Sequence, residues 1–221
     1  MIKRLIFDID GTLITGVSFN DAIKNSLIEY GIFSEENRQK FIRAISTYEQ
    51  YHNEYEKDKY LRYFSKMLGC SLDKTFLDIF FSNLGQYAIP DDNGKLKEII
   101  EQLSRKYELV LLSNYFEKSQ RGRLKNMGID TYFSDYYGEK ICKPNRQAYI
   151  DSIGAHKPYE CVMIGDNLEL DITGAQNCGI NTIWVNTKRI EQGNIRTKWI
   201  DSVTKINESL INSLEKDFDE R

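Results

Sequence analysis

Lys3-Arg4-Leu5-Ile6-Phe7-Asp8-Ile9-Asp10-Gly11-Thr12 is the stretch on which the reading of this chain turns. It begins as a short run rich in strand formers and stops at Asp8, as a strand buried on both faces does. Two carboxylates then stand two residues apart, just ahead of a glycine that lets the backbone turn tightly. Such a pair can divide the labour of a reaction, one attacking as nucleophile while the other, near the leaving oxygen, moves the proton. An Asp-x-Asp-Gly by itself reads equally well as a strand end with a solvated turn. Its meaning depends on what the fold sets beside it.

Working outward, similar runs recur at Glu108–Ser113, Glu160–Gly165 and Ile180–Val185, each closed by helix-like stretches. Leu96, Ile99, Ile100 and Leu103 in one stretch, and Ile172, Ala175 and Cys178 in another, carry the three- and four-residue spacing of helices that cover a sheet. The alternation predicts parallel βαβ units and so a doubly wound, Rossmann-like α/β core. Ligands of open α/β sheets sit at the carboxyl ends of the strands, so Asp8, Ser113 and Asp166 are expected to converge on one edge.

Residues 15–89 contain no strand-like run. Ser18 can cap a helix through Tyr30, Ser34 a longer one reaching toward Leu68, and Asp73 a third through Leu84. This segment reads as an all-helical insertion, and Pro90-Asp91-Asp92-Asn93-Gly94 marks the return to a core made of residues 1–14 and 90–221. Tyr48, Tyr51 and Tyr55 fall at i, i+3 and i+7, which predicts a buried stripe on the second helix or, alternatively, the lining of a substrate pocket, with His52 beside them as a packing, surface or substrate-contacting residue. The end of the tail, Glu215–Arg221, is expected to fray.

With 221 residues, 41% hydrophobic and 29% charged, the chain can bury one substantial core and a small appended module. A net charge of -3 provides no basic field for a polyanion, so no nucleic-acid partner is expected, and no run of sequence suggests a membrane partner. The four cysteines have no metal-ligand spacing and no leader-like segment precedes the first strand, which leads to the expectation of reduced thiols in a cytoplasm. Cys142 adjoins Lys143 and is either a thiol made reactive by that charge or a small packing residue. Two histidines leave little for a zinc site or a histidine triad, so carboxylates must carry any chemistry.

Taken together, these residues resemble the haloacid dehalogenase superfamily, in its phosphatase branch. Asp8 to Thr12 match the opening DxDGT, Ser113-Asn114 follow the second strand, Lys143-Pro144 precede a helix, and Gly165 to Asp171 fit GDxxxxD. The resemblance continues through Ile172-Thr173-Gly174-Ala175 and Gly179-Ile180, and spans about residues 3 to 187. It implies that Asp8 is the nucleophile that forms an aspartyl phosphate and that Asp10 protonates the leaving group and later activates water. Ser113, the backbone N–H of Asn114 and Lys143 would hold the phosphoryl oxygens. Mg²⁺ would be bound by Asp8, the main-chain carbonyl of Asp10 and Asp166, with Thr12 and Asp171 behind them. The helical insertion would be a cap that roofs the strand ends and selects a small phosphomonoester, a sugar phosphate or nucleoside monophosphate. The same fold also serves phosphotransferases, phosphomutases, metal-independent dehalogenases that lack the second aspartate, and non-catalytic descendants.

Overall fold

The run Arg4–Phe7 forms a strand, β1, with all four residues buried. In this computed structural model, which describes residues 1–219 other than Ser18, Asn53, Ala88, Asp91 and Gln192 and side chains as far as Leu214, β1 lies inside a parallel sheet. Its partners among the described residues are β2 (Glu108–Leu112), β3 (Phe133–Tyr137), β4 (Cys161–Gly165), β5 (Asn181–Val185) and β6 (Lys198–Ile200), in the order β3-β2-β1-β4-β5-β6. Phe7 is level with Leu111 of β2 and with Ile164 of β4, so the three strands end together. The strand order reverses between β1 and β4, which makes their carboxyl ends a topological switch point.

Helices cover the faces of the sheet in a pattern set by the alternation of side chains along each strand, and among the described residues four others lie over the strand ends. They are α1 (Asn20–Glu29), α2 (Glu35–Tyr51), α3 (Lys57–Leu68), α4 (Lys74–Tyr87), α5 (Asn93–Ser104), α6 (Glu117–Asn126), α7 (Arg146–Ile153), the short α8 (Gly174–Gln176) and α9 (Glu208–Asp219). Leu5 and Phe7 join a cluster with Leu96 and Ile100 of α5 and Ile211 of α9. Ile6 joins Ala148, Tyr149 and Ile153 of α7 and Ala175 of α8 in a second cluster. Each fully buried Leu, Ile or Phe among them contributes about 1.5–3 kcal/mol. The fold is therefore α/β with helices on both faces, as the sequence pattern predicts. None of the described helices is long and apolar enough to cross a membrane.

The strands β3 and β6 do not follow from the apolar runs. Both are edge strands with exposed positions, so their sequences lack the continuous hydrophobic stretch of a central strand.

From α1 to α4 the chain builds a cluster of its own around Phe41, whose ring lies 4.9 Å from Phe64, 5.4 Å from Phe76 and 5.1 Å from Phe80. The cluster continues onto Tyr115 and Phe116, beyond β2, which seats the helices over the strand ends. Ser34 opens α2 as expected, accepting the N–H of Asn37, and Asp73 accepts the N–H groups of Thr75 and Phe76 at the start of α4. Ser18 lies outside the described residues. The expected single helix toward Leu68 is two helices: the backbone is extended at His52, and Glu56 starts α3 by accepting the N–H groups of Asp58 and Lys59. Between them Tyr55 donates its backbone N–H to Glu139 at 2.8 Å. The tyrosine stripe is corrected accordingly. Tyr48 and Tyr55 are buried, but Tyr51 ends α2 with 70% exposure. At the C-terminal end α9 buries Ile211 and Leu214 and its backbone stays helical to Asp219, so the fraying expected from Glu215 does not occur as far as that residue.

Phe41→Ala is expected to cost about 3–5 kcal/mol in denaturant unfolding, whereas Tyr51→Ala should fall within about 0.5 kcal/mol of the parent. Equal costs would contradict this packing.

Candidate active site

Asp8 stands one residue past β1 and donates its backbone N–H to Ile164 at 2.9 Å, which fixes it at the gap between β1 and β4. The hydroxyl of Thr12 donates to Asp8 Oδ2 at 3.2 Å. Gly11 has φ +85°, and a Cβ there would lie 2.3 Å from the Asp166 carboxylate, so the turn admits only glycine without displacing Asp166. A similar close approach occurs at Gly165, where a Cβ would lie 2.3 Å from Asp171.

Lys143 is the hub of the cluster. Its Nζ donates to Asp8 Oδ1 at 2.8 Å and to Asp171 Oδ1 at 2.5 Å, and its side chain is 3% exposed. Asn114 clasps the Lys143 backbone from both sides: Nδ2 donates to its carbonyl at 2.8 Å, and its N–H donates to Asn114 Oδ1 at 2.8 Å. Only the backbone of Asn114 figures in the sequence reading, so this side-chain clasp is new. Asp171 lies in a π-helical turn, Leu168–Thr173, and its Oδ2 accepts the N–H of Asn167 at 2.9 Å. Trp184 of β5 donates Nε1–H to the Asp166 carbonyl at 2.8 Å and so fixes the backbone between these two acids.

Asp8, Asp166 and Asp171 present carboxylate oxygens within 4.8 Å of one another. One ammonium faces these three acids. Burial pushes Asp8 up to about 7 despite Lys143, with Asp171 adding to the rise. Burial and then Asp171 push Asp166 up to about 6. Burial would lower Lys143, but Asp171 and Asp8 outweigh it and raise it. Two negative charges are left over among oxygen ligands, which is the condition a hard divalent cation such as Mg²⁺ satisfies.

Asp10 has the opposite surroundings. Arg123 donates Nη2 to Oδ1 at 2.6 Å and Nη1 to Oδ2 at 3.1 Å, and Gln120 donates Nε2 to Oδ2 at 2.8 Å. Burial would raise this carboxyl, yet the charge and bonds of Arg123 with those of Gln120 hold it below the usual range. Gln120 also donates to the buried Ser113 Oγ at 3.2 Å, and Tyr136 donates to the Ser113 carbonyl at 2.6 Å. Neither Gln120 nor Arg123 stands out in the sequence. The available signal was the row of polar residues Ser119, Gln120 and Arg123 on the buried face of α6, where covering a sheet calls for apolar side chains.

These groups share one cavity of about 910 Å³, floored by the strand ends and walled by α1, α2 and α4. Asp8, Asp10, Ser113, Asn114, Lys143, Asp166 and Asp171 all line it, together with His52 from the end of α2. Thr12 stands beneath, bonded to Asp8. Cys142 donates its thiol to Gly138 at 3.1 Å, and burial pushes it up to about 12, so it packs and is not activated by its neighbour.

Comparisons with known proteins bear on the family and the fold. A sequence model of the haloacid dehalogenase-like hydrolases matches residues 2–179. The chain is 26% identical over 95% of its length to all of a glyceraldehyde 3-phosphate phosphatase of Methanothermobacter thermautotrophicus. It is 26% identical to the pyrimidine 5'-nucleotidase PynA of Streptococcus pneumoniae, with 86% of each chain covered. In structure it resembles the HAD-hydrolase YfnB of Bacillus subtilis, solved bound to magnesium, with a TM-score of 0.68 at 21% identity over 97% of this chain and 99% of that one.

Removing the shared ammonium should leave two buried acids unpaired, so Lys143→Met is expected to lose about 3–5 kcal/mol of stability in chelator-containing buffer near pH 8. Carboxyls whose folded pKa lies above the unfolded value of about 3.9 lose stability as pH rises through the folded pKa. The deficit should therefore narrow on acidification toward about pH 5; a pH-independent deficit would contradict the charge count.

Proposed function

The chain belongs to the haloacid dehalogenase-like hydrolase family, and from that premise we propose that it is a Mg²⁺-dependent phosphatase acting on a small phosphomonoester through a phosphoryl group carried on Asp8. The observation that carries this reading is the contrast between two acids two residues apart: Asp8 on the shared ammonium, Asp10 held separately by Arg123 and Gln120. Carboxylates whose surroundings push their pKa values apart can take different roles.

In the proposed first step an Asp8 oxygen attacks phosphorus, the ester P–O bond breaks, and Asp10 gives its proton to the departing oxygen. In the second step water attacks the same phosphorus, gives a proton to Asp10 and frees Asp8. Asp10 as it stands is in the ionised form that the second step uses. A phosphoryl dianion beside it favours the protonated form that the first step uses. Ser113, the Asn114 N–H and Lys143 donate to the phosphoryl oxygens as charge develops there. Asp8, Asp166 and the Asp10 carbonyl would hold Mg²⁺, with Asp171 and Thr12 fixing their positions. When bound, the ion supplies positive charge to the phosphoryl oxygens.

We assign residues 15–89 as the cap and residues 1–14 and 90–221 as the catalytic core. A walled cavity of about 910 Å³ suits a sugar phosphate or nucleoside monophosphate and not a folded phosphoprotein. The activities in the names of the two curated relatives, on a triose phosphate and on pyrimidine nucleotides, support the same size class.

Asp8→Asn is expected to lower turnover of an aryl phosphate by at least about 10³-fold while folding no less stably, since it removes a carboxylate that competes for one ammonium. Near-parental activity in that variant would reject Asp8 as nucleophile. Saturating Mg²⁺, at ~100 times its Kd, should stabilise the parent by about 2.7 kcal/mol, read as a rise in Tm. Asp166→Asn should abolish that rise; an undiminished shift would remove Asp166 from the ligand set.

A further inference from the structure

Helix α2 carries two stripes with different fates. Phe41, Ala44 and Tyr48 are buried among the aromatic rings of the helical layer, while Ile42, Ile45, Ser46 and Glu49, at i, i+3, i+4 and i+7, line the cavity. The cavity-facing stripe starts on two isoleucines and becomes polar toward the end of α2, with Glu49 followed by Gln50, Tyr51 and His52. Glu49 is the one Asp, Glu, Lys or Arg that the described residues of α1 to α4 contribute to the cavity lining; the other acids there all stand at the strand ends.

The cations of the cavity are already engaged. Lys143 is bonded to Asp8 and Asp171, and Arg123 to Asp10. Glu49 has no hydrogen bond or ion pair among the described residues, although its side chain is open to the cavity. Desolvation within the cavity and then the charge of Asp10 raise its carboxyl, although the residue remains exposed. Among the described residues the helical wall brings no Lys or Arg to this carboxylate.

We infer that Glu49 reads the leaving group: the helical side of the cavity accepts a neutral leaving group that donates a hydrogen bond to Glu49 and rejects one that carries a second negative charge. The inference rests on the phosphatase reading, because the phosphoryl end must lie on Asp8 for the rest of the substrate to reach α2. With its phosphoryl group at the strand ends, a substrate extends between Ile42, Ile45 and Ile23 toward Glu49. A hydroxyl of a polyol or an N–H of a base satisfies the carboxylate there. A carboxylate or second phosphate would meet Glu49 with no cation free to screen the pair.

Glycerol 3-phosphate and 3-phosphoglycerate test this, because they match in length and differ in hydroxymethyl against carboxylate at the end remote from phosphorus. The parent is expected to favour glycerol 3-phosphate by about tenfold or more in kcat/KM, Glu49→Gln to bring the ratio within about threefold of unity, and Glu49→Lys to reverse it. Binding of the same two compounds to the Asp8→Asn variant, by calorimetry, reads the subsite without turnover. A parental ratio within about threefold of unity, or one that both Glu49 substitutions leave unchanged in folded protein, overturns the inference. Discrimination in binding with no turnover of any phosphomonoester overturns the hydrolytic reading and leaves the Glu49 assignment standing.

Discussion

Lys143 places one positive charge, almost wholly out of water, between Asp8 at the end of β1 and Asp171 in the turn after β4, and the structure around the strand ends answers to the need to keep that charge compensated. An ammonium taken into a protein interior costs several kcal/mol unless good geometry returns it. Here the compensation comes from segments far apart in sequence, so the site exists only when β1, β4 and the loop carrying Lys143 are all in place. Asn114 fixes the lysine's backbone from the end of β2. Gly11 and Gly165 remain without side chains because Asp166 and Asp171 occupy that space.

The same economy of charge organises the cavity. One ammonium serves two acids, Asp166 adds a third, and Asp10 is drawn aside by Arg123, so the floor keeps an excess of negative charge while the helical wall is mainly apolar. A phosphomonoester entering this space brings further negative charge. In the proposed reading a divalent cation offsets that charge and the neutral end of the substrate lies toward the helices. The helical layer is held over the floor by packing: the aromatic cluster around Phe41 reaches Phe116, and Tyr55 is stitched to Glu139. The helical layer and the floor are thus connected by contacts that also shape the pocket.

Much of this was legible in the sequence, for identifiable reasons. Central strands buried on both faces must be apolar runs, so β1, β2, β4 and β5 could be placed directly, and with them Asp8, Ser113 and Asp166 at their ends. Edge strands carry no such obligation, and β3 and β6 were missed. Helix periodicity found the insertion but continued through the break at His52, because Glu54 to Lys59 are as compatible with a solvated helical face as with a link and a new N-terminus. The bonds of Asn114, Gln120 and Arg123 depend on which side chains meet across 29, 110 and 113 positions of chain. Local pattern carries no information about such meetings, although buried polar residues on α6 were a trace of them.

The account depends most on phosphoryl transfer to Asp8. The direct measurement is to mix the Mg²⁺-loaded protein with a phosphorus-labelled aryl phosphate, quench in acid within the first turnovers, and map the label by peptide mass spectrometry. The account predicts one phosphoryl group on the peptide containing Asp8, absent from Asp8→Asn and chased away by unlabelled substrate. Steady hydrolysis with no label on that peptide, or with the label on another residue, would contradict it.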